Sequence, residues 1–524
     1  MELLLSSALV KIIDKNDVSE IQSFNCLKNE SFNFQIYVCD TENAVYDIGI
    51  ESDLKISCYE VLFCKGNYDI NDKTDDYYLK TESDTYPELL IPVNKIECGK
   101  NQDKTLFFEI DSSEKAAGKH DVKVTVGDKS VSFSVNVLEE SLTESDLIVT
   151  HWFHSDAICN YYNVKPFSAE WYVHFEDFMR AYVKMGNNML LVPVFTPPLD
   201  TEVGGERLTT QLLKIKKVGN RYEFDFSGMK KYIDAAKSFG IKYFELSHLF
   251  TQWGGEFCPK IIVEENGEEI KKFGWNVKSD DEEYSEFLKQ YFVALNDFLV
   301  KEGVKENTFM HLTDEPKMKN IDKYSELSAF VKKHNFGIKT MDALSHFDFI
   351  EKTKLDLPAV ATNSKQIDLF ENVRKLFYYC VWVDENYLSN RYFHMPLLRT
   401  AIIGMQLYDK RADGFLHWGF NFYNTALSIA TIDPYKDATA GGKFVAGDPF
   451  IVYPAEKGVN YSIRYFALLK AFEDYRLLKT VENKVGRAVV KDVLARNGVS
   501  GLHEYPRDVK KYEKLKNQLY DLLK

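Results

Sequence analysis

The chain has 524 residues, 45% hydrophobic and 27% charged, a globular composition too long for one ordinary core, so two or three domains are expected. A formal net charge of −14 with no offsetting basic stripe argues against nucleic acid or an anionic membrane as the main partner. Eight cysteines form no CxxC pair and no metal-ligand spacing, which predicts reduced thiols, no metal site and a cytoplasmic protein.

The N-terminal MELLLSSALVKII lacks a basic n-region and a small-residue cleavage site, and it reads as a first strand. No apolar run approaches the roughly 18–20 residues of a membrane span. Residues 1–140 carry short alternating runs: Phe32 to Val38, Lys55 to Leu62, Thr105 to Ile110, Val122 to Val126 and Ser130 to Val137. Gly, Asn and Asp turns separate them, and no helical periodicity survives, so this stretch is expected to be a β-sandwich.

From 141 to 455 a strand-like run ending in a polar or aromatic cluster recurs, each followed by an amphipathic helix. The runs are Leu147–His154, Met189–Phe195, Tyr243–Leu249, Phe309–Glu315, Ile338–Leu344, Ala359–Thr362, Leu376–Trp382 and Gly414–Phe420. Phe175, Phe178, Met179 and Tyr182 share one helical face, and Ser279–Asp280 with Glu283 signals a helix start. Eight such units make an α/β fold, a (β/α)8 TIM barrel. Its second and third loops are long and carry hairpin signals at Gly219–Asn220 and Asn266–Gly267. Residues 456–524 are charged and read as a C-terminal helical extension.

In a barrel the chemistry collects where strands end. Candidates there are His151, Trp152, His154 and Asp156 after strand one, and His248, Gln252 and Trp253 after strand three. Asp342 ends strand five, Tyr378, Tyr379 and Trp382 strand seven, and His417, Trp418, Asn421 and Tyr423 strand eight. Polar groups for hydroxyls, mixed with aromatics for a pyranose face, suit a sugar site. A lone His or Trp at a strand end is more often packed than functional, and Asp156 and Asp342 also read as caps.

The sharpest signal is HLTDEP, His311 to Pro316. It sets Asp314 and Glu315 side by side where the apolar run stops and a proline bars further pairing. Adjacent acids at the end of a buried strand repel and lose hydration, which favours a catalytic role over a surface helix start. Glycoside cleavage needs a general acid and something to stabilise an oxocarbenium-like centre; ordinary retaining enzymes place two carboxyls ~5 Å apart on either side of the bond. Neighbouring residues do not straddle a sugar easily. They suit a 2-acetamido substrate whose own carbonyl oxygen attacks to form an oxazolinium, with Asp314 orienting the acetamido N–H and Glu315 as acid/base.

The barrel resembles the domain-of-unknown-function 4091 proteins and, through its Asp-Glu pair, glycoside hydrolase family 123. The segments that carry the resemblance are HWFHSD (151–156), FTPPLDT (195–201), GGER (204–207), SHLFTQWG (247–254), HLTDEP, MDALS (341–345), SNRYF (389–393) and GFLHWGFNFYN (414–424). It implies a β-N-acetylgalactosaminidase with an N-terminal β-sandwich, a barrel and substrate-assisted retention, acting on a glycan with a terminal 2-acetamido sugar. By it, Asp314 is the stabilising aspartate and Glu315 the general acid. No cofactor is expected, since the chain carries no phosphate loop or dinucleotide fingerprint. Nucleic acid and membrane are not expected as partners, and a homo-oligomer is admitted. Two rivals stand beside this reading. One is a two-carboxylate glycosidase whose nucleophile is Asp384 or Glu385, past strand seven; the other is a barrel that binds glycan without turnover.

Overall fold

The computed structural model describes residues 1–39, 41–66, 75–81, 83–113, 115–378 and 386–524. Two sheets dominate the N-terminal region. One runs in the order Glu2–Ser7, Phe32–Cys39, Lys104–Asp111, Lys55–Lys65, Thr85–Pro92; the other joins Asn25–Lys28, Lys129–Ser141, Gly118–Val126, Ala44–Glu51 and Lys95–Cys98. Their alternating residues interdigitate in one core: Phe34, Ile36, Phe108 and Ile110 from the first sheet, Val122, Val124, Val135 and Val137 from the second.

The first sheet does not end there. After the barrel the chain returns as a hairpin, Val452–Pro454 with Val459–Ser462, whose second strand pairs with Thr85–Pro92. The expected C-terminal helical extension from 456 is therefore corrected: its first residues complete an N-terminal sheet, because the alternating VNYS favours pairing over a helix. Helices begin at Ile463–Val485, capped by the Ser462 hydroxyl, and continue as Arg487–Arg496 and Val509–Asp521. Arg464, in the first turn, fixes the arrangement. Its guanidinium grips Glu88 with two bonds of 2.9 and 2.6 Å and caps the carbonyls of Arg391, Gly447 and Phe450.

Between these parts lies a parallel eight-stranded barrel of Ile148–His151, Met189–Val192, Tyr243–Leu246, Thr308–His311, Lys339–Leu344, Leu357–Ala361, Leu376–Tyr378 and Gly414–His417. Seven of the eight neighbour pairs form ladders. At the seam between strands one and two, Asn188 stands in for the ladder: its backbone N–H donates to Val149, and its side chain accepts from the Val149 N–H and donates to the Leu147 carbonyl. The interior is filled by Ile148, Met189, Leu191, Phe309, Met341, Ala343, Ala359, Leu376 and Leu416, a packed core and not a pore.

Strands one to four and eight are shorter than the apolar runs that announced them, since those runs continue into loops at the carboxyl end. The helix facing strand four is capped by Asp281, whose side chain accepts from Tyr284, and not by Ser279 or Asp280. The two loop hairpins turn at Gly219–Asn220 and Asn266–Gly267 and pair with each other into a four-stranded sheet. Phe224 and Tyr222 of that sheet pack on Phe287 and Tyr291 of the capped helix. Among the described residues no helix is long and apolar enough to cross a membrane.

Candidate active site

Strand four ends at His311, and the acids follow on a loop held from both sides. Along one edge the strand-three loop continues the pairing, with the N–H groups of Leu249, Phe250 and Trp253 donating to the carbonyls of His311, Leu312 and Asp314. Along the other, Asp342 of strand five accepts the N–H and the hydroxyl of Thr313, both at 2.9 Å, on one oxygen. The same oxygen takes the Tyr324 hydroxyl from the helix behind. Gly255, at φ 67°, lets the strand-three loop come this close; a Cβ there would stand 2.8 Å from the Thr313 methyl.

Within that frame Glu315 sits at φ 46°, a left-handed conformation that costs a non-glycine residue of the order of 1 kcal/mol, immediately before Pro316. The two carboxyls meet different partners. Glu315 accepts a 3.2 Å bond from the Tyr378 hydroxyl of strand seven, which also meets the Ser345 hydroxyl at 3.3 Å. Asp314 turns to the histidines: donor atoms of Asp314, His248 and His311 fall within 4.8 Å of one another. Both acids keep part of their surface open. Burial raises both above the ordinary carboxylate range, and for Asp314 the anionic Glu315 beside it pushes further in the same direction. Two adjacent acids in this setting bind a proton more readily than free carboxylates do.

Beneath them lies a charged line. His311 Nδ1 is 2.7 Å from Glu245 Oε1, and its Nε2 is 3.3 Å from Asp342 Oδ1, all three side chains fully buried. The Trp152 indole N–H donates to the same Glu245 oxygen at 2.9 Å. Burial alone would strip the His311 proton, but Asp342 and Glu245 outweigh it and lift the imidazole to about 10. His248 packs against it with the rings tilted by 31° and their centres 3.9 Å apart, and neither of its own nitrogens is bonded. Burial and the His311 cation hold it neutral. His248, His311 and Asp314 are the one grouping among the described residues with metal-ligand spacing.

The other expected contacts divide into two kinds. His154 is spent: Nδ1 meets Arg207 Nη2 at 3.0 Å and Nε2 meets the Trp418 carbonyl at 2.9 Å, with burial and Arg207 lowering it to about 4. Asn421 is spent as well, its amide bonded to both backbone groups of His154. Asp342 is spent on the loop just described. These three brace the mouth instead of reaching out of it. His417 is buried, stacked on His151 and 3.4 Å from Asp448, while Trp418 donates to Asp448 at 3.0 Å and keeps part of its ring exposed. Trp253, also partly exposed, has φ 64° and lies directly against Asp314 through its N–H. Tyr379, Trp382, Asp384 and Glu385 lie outside the described residues.

Sequence reading gave no role to four residues that matter here. Glu245 was findable, an acid inside the four-residue apolar strand YFEL. Arg207, in the GGER segment, pairs with Asp156 through two 2.8 Å bonds and ties the strand-two loop to the first helix. Arg391, in the SNRYF segment, is buried and donates to the Asp448 carbonyl, and Asp448, which accepts from Trp418, left no sequence signal.

The model of the glycoside hydrolase 123 catalytic domain matches residues 152–481. The chain belongs to glycoside hydrolase family 123. Among solved structures, a family 123 glycoside hydrolase from Clostridium perfringens, described in terms of glycolipid glycan hydrolysis, superposes with a TM-score of 0.73. The two are 15% identical, over 99% of this chain and 98% of that one, so the likeness is one of fold. A putative alpha-galactosidase from Bacteroides fragilis reaches only 0.23 at 9% identity, covering 76% of this chain and 65% of that one, too distant to inform the site. No curated protein matches the sequence. As a glycoside hydrolase this family 123 member acts on carbohydrate, and its domain match begins at Trp152, which anchors Glu245.

Proposed function

We propose that this family 123 enzyme removes a terminal β-linked N-acetylhexosamine with retention, by substrate-assisted catalysis through an oxazoline. The observation that carries the reading is the divergence of two consecutive acids: Asp314 turned to the histidine pair, Glu315 to Tyr378. Consecutive carboxyls on one loop suit one face of the scissile bond, where one orients an acetamido group and the other meets the leaving oxygen. Burial favours a proton on this pair, and that proton is the one the leaving group needs. An acetamido N–H arriving at Asp314 favours its anion, which leaves the proton on Glu315, the general acid. The acetamido oxygen then attacks the anomeric carbon as the glycosidic bond breaks. Water opens the oxazoline with Glu315 now as base.

Trp253 and Trp418, each partly exposed, are the described aromatics offered to the sugar, and His248 holds the unspent ring nitrogens. N-acetylgalactosamine is the sugar the family likeness favours, and the two N-terminal sheets with their shared core are read as a β-sandwich. A panel of nitrophenyl glycosides, with and without the 2-acetamido group and in both configurations, tests the reading, together with a glycolipid glycan suggested by the Clostridium relative. Turnover confined to β-acetamido sugars and inhibition by a thiazoline analogue are expected. A 2-fluoro sugar that labels Asp384 or Glu385 would replace it with the two-carboxylate mechanism.

A further inference from the structure

Among the described residues, four carboxylates converge around the end of strand four: Glu245, Asp314, Glu315 and Asp342. A single buried cation, His311, lies among them. Barrel interiors are normally apolar, and an ion triad there is costly unless it has a task. Its geometry is over-determined. Trp152 from strand one fixes Glu245, while Thr313, Tyr324 and the Ala343 N–H fix Asp342. The ring of His311 is thus held from strand three by the Nδ1 bond to Glu245, while Asp342 of strand five stands beside it as an ion-pair partner, 3.3 Å from Nε2 and outside hydrogen-bond geometry. Its remaining charged and titratable neighbours are His248, neutral above the ring, and Asp314 and Glu315 on its own loop.

We propose that Glu245, His311 and Asp342 are positioning residues, a fixed carboxylate–imidazolium–carboxylate line that holds a positive charge under Asp314. That charge opposes the push of burial and of Glu315 on the aspartate and, once an acetamido N–H is bound, favours its anion while the oxazolinium forms. The idea rests on the substrate-assisted reading. Without the line, burial and the anionic Glu315 would act on Asp314 unopposed, and substrate binding would release its proton to Glu315 less readily. Glu245 supplies the grip on the ring. Asp342 pairs with its charge and, through Thr313, ties the position of the cation to that of the loop carrying the acids. No proton needs to move along the line; it acts by staying charged.

The measurement is imidazole nitrogen NMR on the whole enzyme, with the His311 resonance assigned by its loss in His311→Asn. His311 is expected to stay doubly protonated past pH 8.5 in the native enzyme and to titrate near an ordinary histidine value in Glu245→Gln, a shape-preserving change that retains an acceptor for Trp152. In the same variant kcat on an activated β-acetamido glycoside should fall roughly 10- to 100-fold, the scale of one lost charge-assisted bond. KM should stay close to native, and the alkaline limb of the pH–rate profile should move. A neutral His311 at pH 8 in the native enzyme overturns the proposal, and so does a folded Glu245→Gln with an unmoved pH–rate profile. If acetamido glycosides are not cleaved at all, the substrate reading falls, while the NMR result still decides whether the charged line exists. Should Glu245→Gln fail to fold, Asp342→Asn and the native titration carry the test.

Discussion

Two clusters of buried charge lie far apart in the fold and are balanced to different degrees. At the junction between the N-terminal sheets and the C-terminal helices, Glu30 takes Lys470 at 2.6 Å and Lys516 at 2.9 Å, and Asp474 takes Lys516 at 2.8 Å. Tyr520 and Tyr512 donate to the same two acids, and Glu473, raised to about 7 by burial, is bonded to the Ser31 N–H and hydroxyl. Three acids meet two lysines: burial raises Glu473 and Asp474, but Lys470 and Lys516 outweigh it at Glu30 and hold that acid below the ordinary carboxylate range. In the barrel, four acids meet one buried cation, and the two that face the opening are both pushed up. The junction spends its charges on each other, so it fastens parts together. The barrel leaves charge unspent, and unspent charge in a recess is what a reacting sugar can use.

The largest effect should come from removing the unspent charge. Glu315→Gln is expected to lose on the order of 10³-fold or more in kcat/KM on poor leaving groups and far less on activated ones, as for a missing general acid. Asp314→Asn should lose activity on both. A Glu315→Gln enzyme with equal losses on both leaving-group classes would remove the proton-donor role.

Breaking the balanced cluster should do the reverse. Lys516→Met leaves Glu30 and Asp474 short of a buried partner, and roughly 3 kcal/mol of stability should disappear while kcat stays within a factor of two. Denaturant melts and steady-state rates on one preparation check both halves. A melt unchanged by Lys516→Met would mean the junction tolerates excess charge as the barrel does.

Stability also separates the clusters through pH. An acid whose pKa is higher folded than unfolded contributes stability at low pH that is lost as pH rises between the two values. Asp314 is such an acid, so Asp314→Asn should melt about 1–2 °C above native at pH 8, with the gap closing near pH 4. Glu30 has the opposite sign: its contribution is present above the unfolded carboxylate pKa and lost as pH falls through the lower folded one. Glu30→Gln should therefore be least harmful in acid. Melting curves across pH for the two variants should diverge in opposite directions, and parallel curves would show that the charge balance is not what distinguishes the sites.

How much of this was legible in the sequence follows from how far apart the participants lie in the chain. The barrel was readable because its signal is local: each strand is a short apolar run, and each helix a face such as Phe175, Phe178, Met179 and Tyr182, all buried as the period demanded. HLTDEP was readable because two adjacent acids after a strand are improbable for packing. Pairings between distant segments were not. VNYS at 459–462 looked like the edge of a helical tail because its partner is Thr85–Pro92, some 370 residues earlier. His154 and Asn421 looked like sugar contacts because spacing cannot reveal that each is already bonded, one to Arg207 and the other to His154 itself. Glu245 could have been flagged, but its partner His311 comes from the next barrel strand, 66 residues on.

The smallest expected effect probes how finely the acid loop is set. Thr313 gives Asp342 two bonds, one from its hydroxyl and one from its backbone. Thr313→Val keeps the shape and the N–H but deletes the hydroxyl donor, and the affected Asp342 oxygen still holds the Thr313 N–H and the Tyr324 hydroxyl. Stability should fall by about 1 kcal/mol, the ordinary worth of one buried hydrogen bond to a charged acceptor that keeps other donors. Activity should fall only a few-fold, because Trp253 still holds the far edge of the loop through the Asp314 carbonyl. If kcat instead falls as far as in Glu245→Gln, with no larger loss of stability, the position of the loop governs the reaction as strongly as the charge beneath it, and Asp342 acts chiefly as a clamp on Thr313.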